Sequence, residues 1–178
     1  MGHLTGHRVR DERVASPCRM GIRIRRLAAD DYPTVIGRLD AWWGGRRMTD
    51  MLPRLFFVHF ASTSLAAVDG EGDLIGFLVG FHSPSDDREA YVHFVGVDPK
   101  RRGESVGRKL YQRFIEDARV AGCRVVRAVT SPMNAGSIAF HRSLGFSVEE
   151  GPVQRNGIWV HPDYDGPGED RVKFRLEI

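Results

Sequence analysis

Hydrophobic positions change their spacing along the chain, and each change predicts a new element. Residues 22–27 alternate apolar and Arg positions, which predicts a first strand. Apolar runs on both sides of "DGEGD", residues 69–73, predict an antiparallel hairpin, because this turn is rich in Gly and Asp. The apolar stretch "AYVHFVGV", residues 90–97, predicts a third long strand. These strands should meander antiparallel.

Two short helices are predicted between the first strand and the hairpin. The first contains Pro33 in its opening turn, and the second covers roughly residues 51–60. The segment between them, "WWGGRRMTD", is predicted to be a loop. Its aromatic side chains can wall a pocket, although Trp42 and Trp43 are equally compatible with an ordinary core.

The second half of the chain alternates strands and helices. Val106, Leu110 and Phe114 recur every four residues, which predicts a helix that Gly122 ends. A strand at 124–130, a short helix and two further strands follow. Strand, helix and strand at this spacing imply a right-handed crossover, so strands 91–97 and 124–130 should be parallel neighbours. The predicted fold class is α/β, with a mixed and mostly antiparallel sheet flanked by about four helices.

Composition and charge narrow the class of protein. The 178 residues contain 42% hydrophobic residues, and no apolar run approaches the roughly 20 residues of a membrane span. Residues 1–26 carry seven Arg against two acids, so the remainder of this +3 chain totals −2. We therefore expect a cytoplasmic protein with a flexible basic leader at 1–20, a single domain at 21–178, and neither nucleic acid nor membrane as a partner.

The chain contains two cysteines, Cys18 and Cys123. Neither has a further metal ligand at useful spacing, and two cysteines do not form a disulfide framework. The sequence therefore predicts free thiols in a reducing compartment and no bound metal.

The loop "VDPKRRGESVG" is the segment richest in chemical signals. It lies where a parallel strand passes into a helix, and the free amides at a helix N-terminus attract anions, phosphate above all. Gly103 and Gly107 allow a phosphate to approach the backbone, while Arg102 and Arg108 add positive charge. These residues predict a pyrophosphate site, with a plain turn carrying solvated arginines as the alternative.

Two motifs resemble those of the GNAT superfamily, the acyl-CoA-dependent N-acyltransferases. "VDPKRRGESVG" is similar to the coenzyme-binding run Val-x-Pro-x-x-(Gln/Arg)-x-x-Gly-x-(Gly/Ala), with Ser105 in place of the first motif glycine. "NAGSIAFHRSLGF" is similar to the later signature Asn-x-x-(Ala/Ser)-x-x-(Phe/Leu)-Tyr-x-(Arg/Lys)-x-Gly-Phe, with His141 in place of the tyrosine. The resemblance covers all but the leader and implies a GNAT fold, whose central parallel strands splay apart.

The resemblance also implies acetyl-CoA as co-substrate. The pantetheine arm would lie between the splayed strands and pair with exposed backbone, while amides of the loop would hold the pyrophosphate. The residues expected to contact the coenzyme are Val95, Gly96, Val97, Arg102, Gly103, Glu104, Ser105, Val106, Gly107, Arg108, Asn134, Ser137, Phe140 and His141. For Ser105 we expect a negative φ and a hydroxyl that caps the helix or bonds a phosphate, because a positive φ would cost serine up to about 1 kcal/mol relative to glycine.

Direct acyl transfer needs a base for the amine and a proton for the leaving thiolate. His93 is the candidate base, because strand periodicity would place Tyr91, His93, Val95 and Val97 on one face, near the position of the glutamate base in many family members. Tyr91 could share the site. His141 would protonate the thiolate in place of the family's tyrosine. Alternatively, His93 is a core histidine that bonds to a neighbour, and Tyr91 serves only in packing. The alternatives for His141 are a simple contact with the coenzyme or a place on the surface of the last helix.

Acceptor specificity is expected from the first interhelical loop and from "WVHPDYDGPGED" before the last strand. The candidate contacts are Trp42, Trp43, Arg46 and Tyr164. An arginine here could pair with the carboxylate of an amino acid, whereas the acidic residues around Tyr164 could meet a cationic amine.

The predicted function is an N-acetyltransferase that moves an acetyl group from acetyl-CoA to the primary amine of a small molecule or amino acid. Two alternatives stay open, namely acetylation of protein or peptide amino groups and a non-catalytic acyl-CoA-binding sensor. The active form is expected to be a monomer or a homodimer.

Overall fold

The computed structural model describes residues 21–178. The predicted leader at 1–20, with Cys18, lies outside these residues. Nine strands and four α-helices form in the described part, in the order that the hydrophobic pattern predicts for the long elements. The strands are β1 (Arg23–Arg26), β2 (Leu65–Val68), β3 (Leu74–His82), β4 (Glu89–Val97), β5 (Val125–Thr130), β6 (Ser147–Val148), β7 (Val153–Arg155), β8 (Ile158–Val160) and β9 (Val172–Glu177). The helices are α1 (Tyr32–Trp42), α2 (Leu55–His59), α3 (Val106–Val120) and α4 (Ala135–Ser143).

Seven of the strands form one sheet in the order β1-β2-β3-β4-β5-β9-β6, and its single parallel pair is β4–β5. The predicted fold class is thereby confirmed. Pairing of β4 with β5 ends at Val92 and Ala128, although β4 continues to Val97 and β5 to Thr130. The two strands therefore separate in their second halves and leave an opening in the middle of the sheet.

Helices cover the two faces of this sheet with two separate cores. On the α3 face, helices α3 and α4 pack through residues such as Leu110, Phe114 and Ile138. On the α1 face, helices α1 and α2 pack through residues such as Leu39 and Phe57. A side chain of β4 can therefore be assigned to a face by the core or the helix that it contacts.

Two glycines in β3 allow α3 to lie close to the sheet. A Cβ on Gly76 would come within 2.9 Å of Val106 Cγ1, and a Cβ on Gly80 would come within 2.5 Å of the Phe114 ring. Real Cβ atoms do not make contacts this short. The N-terminal turn of α3 is therefore seated directly on the sheet, beside the opening.

A β-bulge interrupts β4 at His93. Val79 pairs with Phe94, whereas the next residue, Gly80, pairs with Val92, so that His93 has no partner across the ladder. An extra residue of this kind shifts the alternation of side chains between the two faces of a sheet.

The bulge makes one prediction wrong. Tyr91 and His93 lie on the α1 face, where they contact Phe81 and α2, and Phe94 also belongs to the α1 core. Val95 and Val97 instead pack with the α3 core. The four residues predicted to share one face are therefore divided between two faces.

Boundaries between β1 and β2 also differ from the prediction. Helix α1 extends through Trp42, the first residue of the predicted loop. The helix predicted over 51–60 is instead a 3₁₀ turn at Thr49–Met51 followed by α2. Pro53 lies between them, and proline restricts the preceding residue and lacks an amide proton, so a continuous helix cannot form there.

The β7–β8 hairpin is not predicted, because strands of three residues are too short to show alternation. Its turn contains Asn156 and Gly157, which have φ values of 51° and 75°. An Asn-Gly pair with this geometry favours a two-residue hairpin. That dipeptide was the sequence signal that could have identified the hairpin.

Candidate active site

A cleft of about 790 Å³ opens where β4 and β5 separate, bounded by the first turns of α3 and α4 and the loop after α1. Every predicted coenzyme contact lines it except Gly96 and Glu104. The lining also includes residues that the motifs do not single out as contacts, namely Gly44, Arg101, Gly136 and Ser143. Because the motif segments 102–108 and 134–141 meet here, this central cleft is the candidate coenzyme site.

The central cleft is strongly basic. Its lining contains Arg46, Arg101, Arg102 and Arg108 and no Asp or Glu. Guanidinium groups suit phosphate both by charge and by their fork of N–H donors. The cleft is therefore suited to a phosphate-bearing ligand.

Contacts with neighbouring elements position three of these arginines. Arg101 pairs with Glu104 at 3.0 Å and with Asp69 at 3.2 Å. Arg102 Nη2 donates to Trp42 O at 2.8 Å, and Arg108 Nη2 donates to the backbone oxygen of Ser143 at 3.2 Å. The loop before α3 is thereby tied to the C-terminal end of α1, and α3 is tied to α4.

The N-terminus of α3 keeps unsatisfied amides. Ser105 is the N-cap residue, but its side chain makes no capping hydrogen bond, and its φ of 62° is left-handed. The prediction of a negative φ with a capping hydroxyl is therefore wrong. Gly103 has a φ of 87°, so two of the three residues 103–105 have a left-handed backbone where the chain enters α3. The first-turn amides, which have no partner within the helix, remain available to an anion.

Gly107 brings the backbone of α3 close to the cleft wall. A Cβ at this position would lie 3.1 Å from Phe140 Cζ and 3.6 Å from Val97 Cγ2. Only hydrogen fits there without displacing Phe140. The first turn of α3, the end of β4 and α4 therefore meet around this glycine.

Asn134 begins α4 and caps it. Its Oδ1 accepts a hydrogen bond from Ser137 N at 3.1 Å, which satisfies one of the free amides of the helix. The side-chain nitrogen of Asn134, Nδ2, makes no hydrogen bond with the rest of residues 21–178 and can donate to a ligand in the cleft.

His141 is a buried histidine with both ring nitrogens occupied. Its Nδ1 lies 2.8 Å from Ser137 O, and since a carbonyl only accepts, the proton is on Nδ1. Nε2 then accepts from the Tyr111 hydroxyl at 2.7 Å, and the ring stacks on Phe174 with centroids 4.3 Å apart. Burial lowers the pKa of His141. The imidazole is therefore held neutral, and its only N–H is already donated within the protein.

His93 lies outside the central cleft, on the α1 face. Its Nε2 donates to Met51 O at 2.9 Å, and its ring stacks on Phe56 with centroids 4.3 Å apart. This hydrogen bond places the proton on Nε2 and leaves Nδ1 as an acceptor, with no other hydrogen bond within the described residues. His93 therefore has a lone pair free to take a proton.

Tyr91 lies on the same face and also outside the cleft. Burial raises the pKa of its phenol well above the ordinary value, with smaller contributions from Tyr164 and Asp165. The phenol therefore keeps its proton at neutral pH, so Tyr91 can donate a hydrogen bond there and does not act as a base.

Trp43 connects the cleft with the α1 face. It lines the cleft, and its ring lies 5.2 Å from that of Phe94. A Cβ on Gly96 would come within 2.9 Å of the Trp43 ring and 2.6 Å of Phe77, which is why Gly96 lies beneath these rings and not in the cleft. The side of the sheet that carries His93 thus adjoins the cleft at Trp43.

The predicted acceptor contacts do not form one group. Trp42, Trp43 and Arg46 line the cleft. Trp42 is only 6% exposed and packs on Phe77, whereas Arg46 is exposed and its guanidinium group makes no hydrogen bond or ion pair with the described residues. Tyr164 lies in the loop between β8 and β9, outside the cleft, with the Lys173 ammonium 5.5 Å from its ring centroid. Of the three lining residues, Trp43 and Arg46 therefore expose more of their side chains than Trp42 does.

Other candidate chemistry is sparse within residues 21–178. No group of three or more His, Cys, Asp or Glu side chains there is arranged to hold a metal ion. No helix in the same range is long and apolar enough to cross a membrane. Cys123 is buried and unpaired, and burial raises the pKa of its thiol, which disfavours the reactive thiolate.

Comparison with known proteins agrees with this geometry. The model of the acetyltransferase (GNAT) family matches residues 22–146. The chain is 46% identical over 79 residues to the L-methionine sulfoximine/L-methionine sulfone acetyltransferase of Salmonella typhimurium, which covers 41% of this chain and 46% of that protein. It is 30% identical over 89 residues to the L-2,4-diaminobutyric acid acetyltransferase of Shouchella clausii, covering 50% and 49%. The chain thus spans about half the length of the curated relatives it matches.

A solved structure shows the same fold over nearly the whole described chain. The protein yncA of Salmonella typhimurium, solved with its cofactor acetyl-CoA, aligns with a TM-score of 0.63 at 24% identity, covering 88% of this chain and 94% of that one. The family match extends over more than half of the chain and includes the loop before α3 and all of α4. With the splayed parallel pair and the basic cleft between its strands, this shows that the chain belongs to the acetyltransferase (GNAT) family.

Proposed function

We propose that residues 21–178 form one GNAT domain that transfers an acetyl group from acetyl-CoA directly to the primary amine of a small, amino-acid-like molecule. The observation that carries the proposal is the basic cleft with free α3 amides at the opening between β4 and β5. Relatives that acetylate methionine sulfoximine and diaminobutyric acid favour an amino acid as the acceptor.

The residues of the cleft fit acetyl-CoA. The first-turn amides of α3, with Arg102 and Arg108, are suited to the pyrophosphate, and the Asn134 amide is suited to the pantetheine arm. Backbone groups of β4 beyond Val92 have no partner in β5 and can pair with an extended ligand, as an added strand would. Acetyl-CoA supplies the acetyl group as a thioester.

His93 serves as the base in this proposal. Its Nδ1 takes a proton from the acceptor ammonium, while Met51 O accepts a hydrogen bond from Nε2 and stabilises the imidazolium that forms. An unpaired backbone N–H of β4 beyond the bulge donates to the carbonyl oxygen on which negative charge develops. As the C–N bond forms and the C–S bond breaks, the leaving thiolate takes the second proton from the attacking nitrogen.

His141 supports the cleft wall in this proposal. Its N–H is donated to Ser137 O and its Nε2 accepts from Tyr111, so it holds α4 against α3. Protonation of a thiolate by His141 would break the bond to Ser137 O inside a buried site. We therefore assign His141 to positioning and not to proton transfer.

Turnover with a panel of amines tests the proposal. Acetyl-CoA is incubated with the protein and with L-amino acids, diamines or peptides, and release of free thiol is followed. We expect L-amino acids to raise the release above the rate of hydrolysis. If only peptides raise it, the acceptor is a protein terminus or side chain. If acetyl-CoA binds and no amine raises it, the protein is a sensor and not an enzyme.

A further inference from the structure

We propose that the acceptor's side chain packs on a wall of aromatic rings on the α1 face, and that the preferred acceptor is therefore an amine with an apolar side chain. The aromatic wall consists of Phe56, Phe60, Phe81, Tyr91 and His93. This inference rests on the proposed function and specifies its substrate class.

The five rings form a continuous chain of contacts. Centroid distances are 4.3 Å from His93 to Phe56, 5.4 Å from Phe56 to Phe60, 5.2 Å from Phe60 to Phe81 and 5.5 Å from Phe81 to Tyr91. These distances are typical of packed aromatic pairs. All five residues are partly exposed, so their ring surfaces are ordered but still in contact with solvent.

Helix α2 and the residue after it contribute phenylalanines both to the core and to the wall. Phe57 is fully buried in the core of the α1 face, whereas its neighbour Phe56 and the next turn's Phe60 lie on the wall. A neighbouring pair of phenylalanines thus serves two purposes. Phe56 also packs against that core with part of its ring, and the part that stays exposed is free to pack on a ligand.

The aromatic wall adjoins the proposed point of reaction. His93 is both a member of the wall and the proposed base, and the next residue, Phe94, contacts Trp43 at the edge of the cleft. An acceptor whose amine reaches His93 would therefore extend its side chain over the neighbouring rings of α2 and β3.

The charged groups beside the wall favour an apolar side chain over a cationic one. The nearby carboxylates are already paired, Glu89 with Arg127 at 2.6 Å and Asp165 with Arg171 at 2.6 Å. Lys173 adds a further cation near Tyr164. The exposed Asp163 beside Tyr164 has no cationic partner among the described residues, but its Oδ1 already accepts a hydrogen bond from Gly168 N at 2.6 Å. An alkyl or aromatic side chain, in contrast, would bury apolar area against the rings.

Two amino acids with the same carbon chain provide the test. Binding of L-norleucine and L-lysine, which differ by the terminal ammonium, is measured by calorimetry with the protein saturated in CoA, and L-alanine is included as a short reference. We expect L-norleucine to bind at least about tenfold more tightly than L-lysine, and each methylene removed to weaken binding by up to about fourfold. Equal or tighter binding of L-lysine, or no binding of L-norleucine, would overturn the inference.

Variants locate the binding surface. Phe60→Ala should reduce the ratio of L-norleucine to L-alanine affinity by about tenfold without changing CoA affinity, and Phe60→Leu should restore part of it. Val58→Ala is the matched control, because Val58 is 49% exposed on α2, two residues before Phe60, and is not part of the wall. An unchanged ratio in Phe60→Ala and Phe60→Leu, with CoA binding retained, would exclude the wall as the site.

The two proposals fail in different ways. Tight L-norleucine binding without any thiol release would refute the enzymatic function and leave the aromatic wall as a binding site. Thiol release that is fastest with a cationic or acidic acceptor would support the enzymatic function and refute the apolar acceptor.

Discussion

The central cleft and the aromatic wall are connected through Trp43 and Phe94, and they differ in what they offer a ligand. The cleft offers backbone amides, guanidinium groups and glycines that let a ligand approach closely. The wall offers ring surface, and its free polar groups within the described residues are Nδ1 of His93 and the hydroxyl of Tyr91. A cosubstrate with a fixed structure and anionic phosphates suits the amides and guanidinium groups of the cleft. Discrimination between acceptor side chains suits the ring surface of the wall. The two regions should therefore be separable by substitution.

The largest effect should come from the wall side. His93→Ala removes the proposed base and should lower kcat by roughly 10²- to 10⁴-fold, with loss of the rising limb of the pH–rate profile. The affinity for acetyl-CoA should stay unchanged, since His93 is outside the cleft. Stopped-flow thiol release and calorimetry measure the two quantities, and His59→Ala, an exposed histidine of α2, is the control. A parallel loss of coenzyme affinity would show that the two regions are not independent.

The reciprocal change should affect only the cleft. Arg102→Glu reverses a charge in the cleft and removes the hydrogen bond to Trp42 O, so the Kd of acetyl-CoA should rise about ten- to a hundredfold. Arg47→Glu is a matched control, because Arg47 pairs with Asp50 outside the cleft. Calorimetric titration measures the Kd of acetyl-CoA for both variants. Equal weakening by both would mean that only the overall charge counts.

Substitution of His141 tests whether this residue supports the cleft wall or donates a proton. His141→Phe keeps the stacking on Phe174 but leaves the Tyr111 hydroxyl buried without its partner, which should cost roughly 1–3 kcal/mol of unfolding free energy. Chemical denaturation measures this loss. Turnover per folded molecule should fall far less than in His93→Ala, and a comparable fall would restore His141 as the acid.

The pH dependence of stability provides a second readout for His141. Burial lowers its pKa in the folded state, so as the pH falls the unfolded chain takes up the proton first. The neutral ring therefore contributes stability above an ordinary pKa of about 6.5, and this contribution is lost as the pH drops toward the lowered value. Between about pH 7 and 5, the wild type should lose more stability than His141→Phe. Parallel losses would mean that another group is responsible.

The smallest effect concerns Ser105. Ser105→Gly relieves a left-handed φ of 62° and should raise the unfolding free energy by up to about 1 kcal/mol. Ser105→Ala is the control, because it keeps the strain and removes only the hydroxyl. If the alanine variant binds acetyl-CoA as the wild type does, the hydroxyl is dispensable for the phosphate. Equal stability of the wild type and the glycine variant would show that the turn imposes no strain.

The cleft was largely predictable because its chemistry is local. Gly103, Gly107 and Arg102 stand within six residues, and the strand-to-helix order fixes where their loop lies. The positive φ of Ser105 is not predictable, because it is imposed by the direction in which the chain enters α3. The serine residue type does not indicate a left-handed backbone.

The aromatic wall was not predictable from the sequence, because it depends on pairings between distant segments. The bulge at His93 arises from the register between β3 and β4, and no local motif marks it. Phe56 and Phe60 reach the wall because the chain breaks at Pro53 and α2 starts afresh, whereas the apolar pattern alone favours one continuous helix. His93 and Tyr91 were found as candidates, but their surroundings were not.

Gly76 and Gly80 lie outside the cleft, but they determine where α3 sits and therefore where its N-terminal amides lie. Any side chain at Gly76 would press on Val106, the first residue of α3, and any side chain at Gly80 would press on Phe114 further along that helix. Either replacement would lift the whole helix and carry its N-terminal amides away from the opening. A saturation screen for loss of coenzyme binding should therefore return β3 glycines together with the loop itself, so that sensitivity to mutation follows the seating of α3 and not the distance from the ligand.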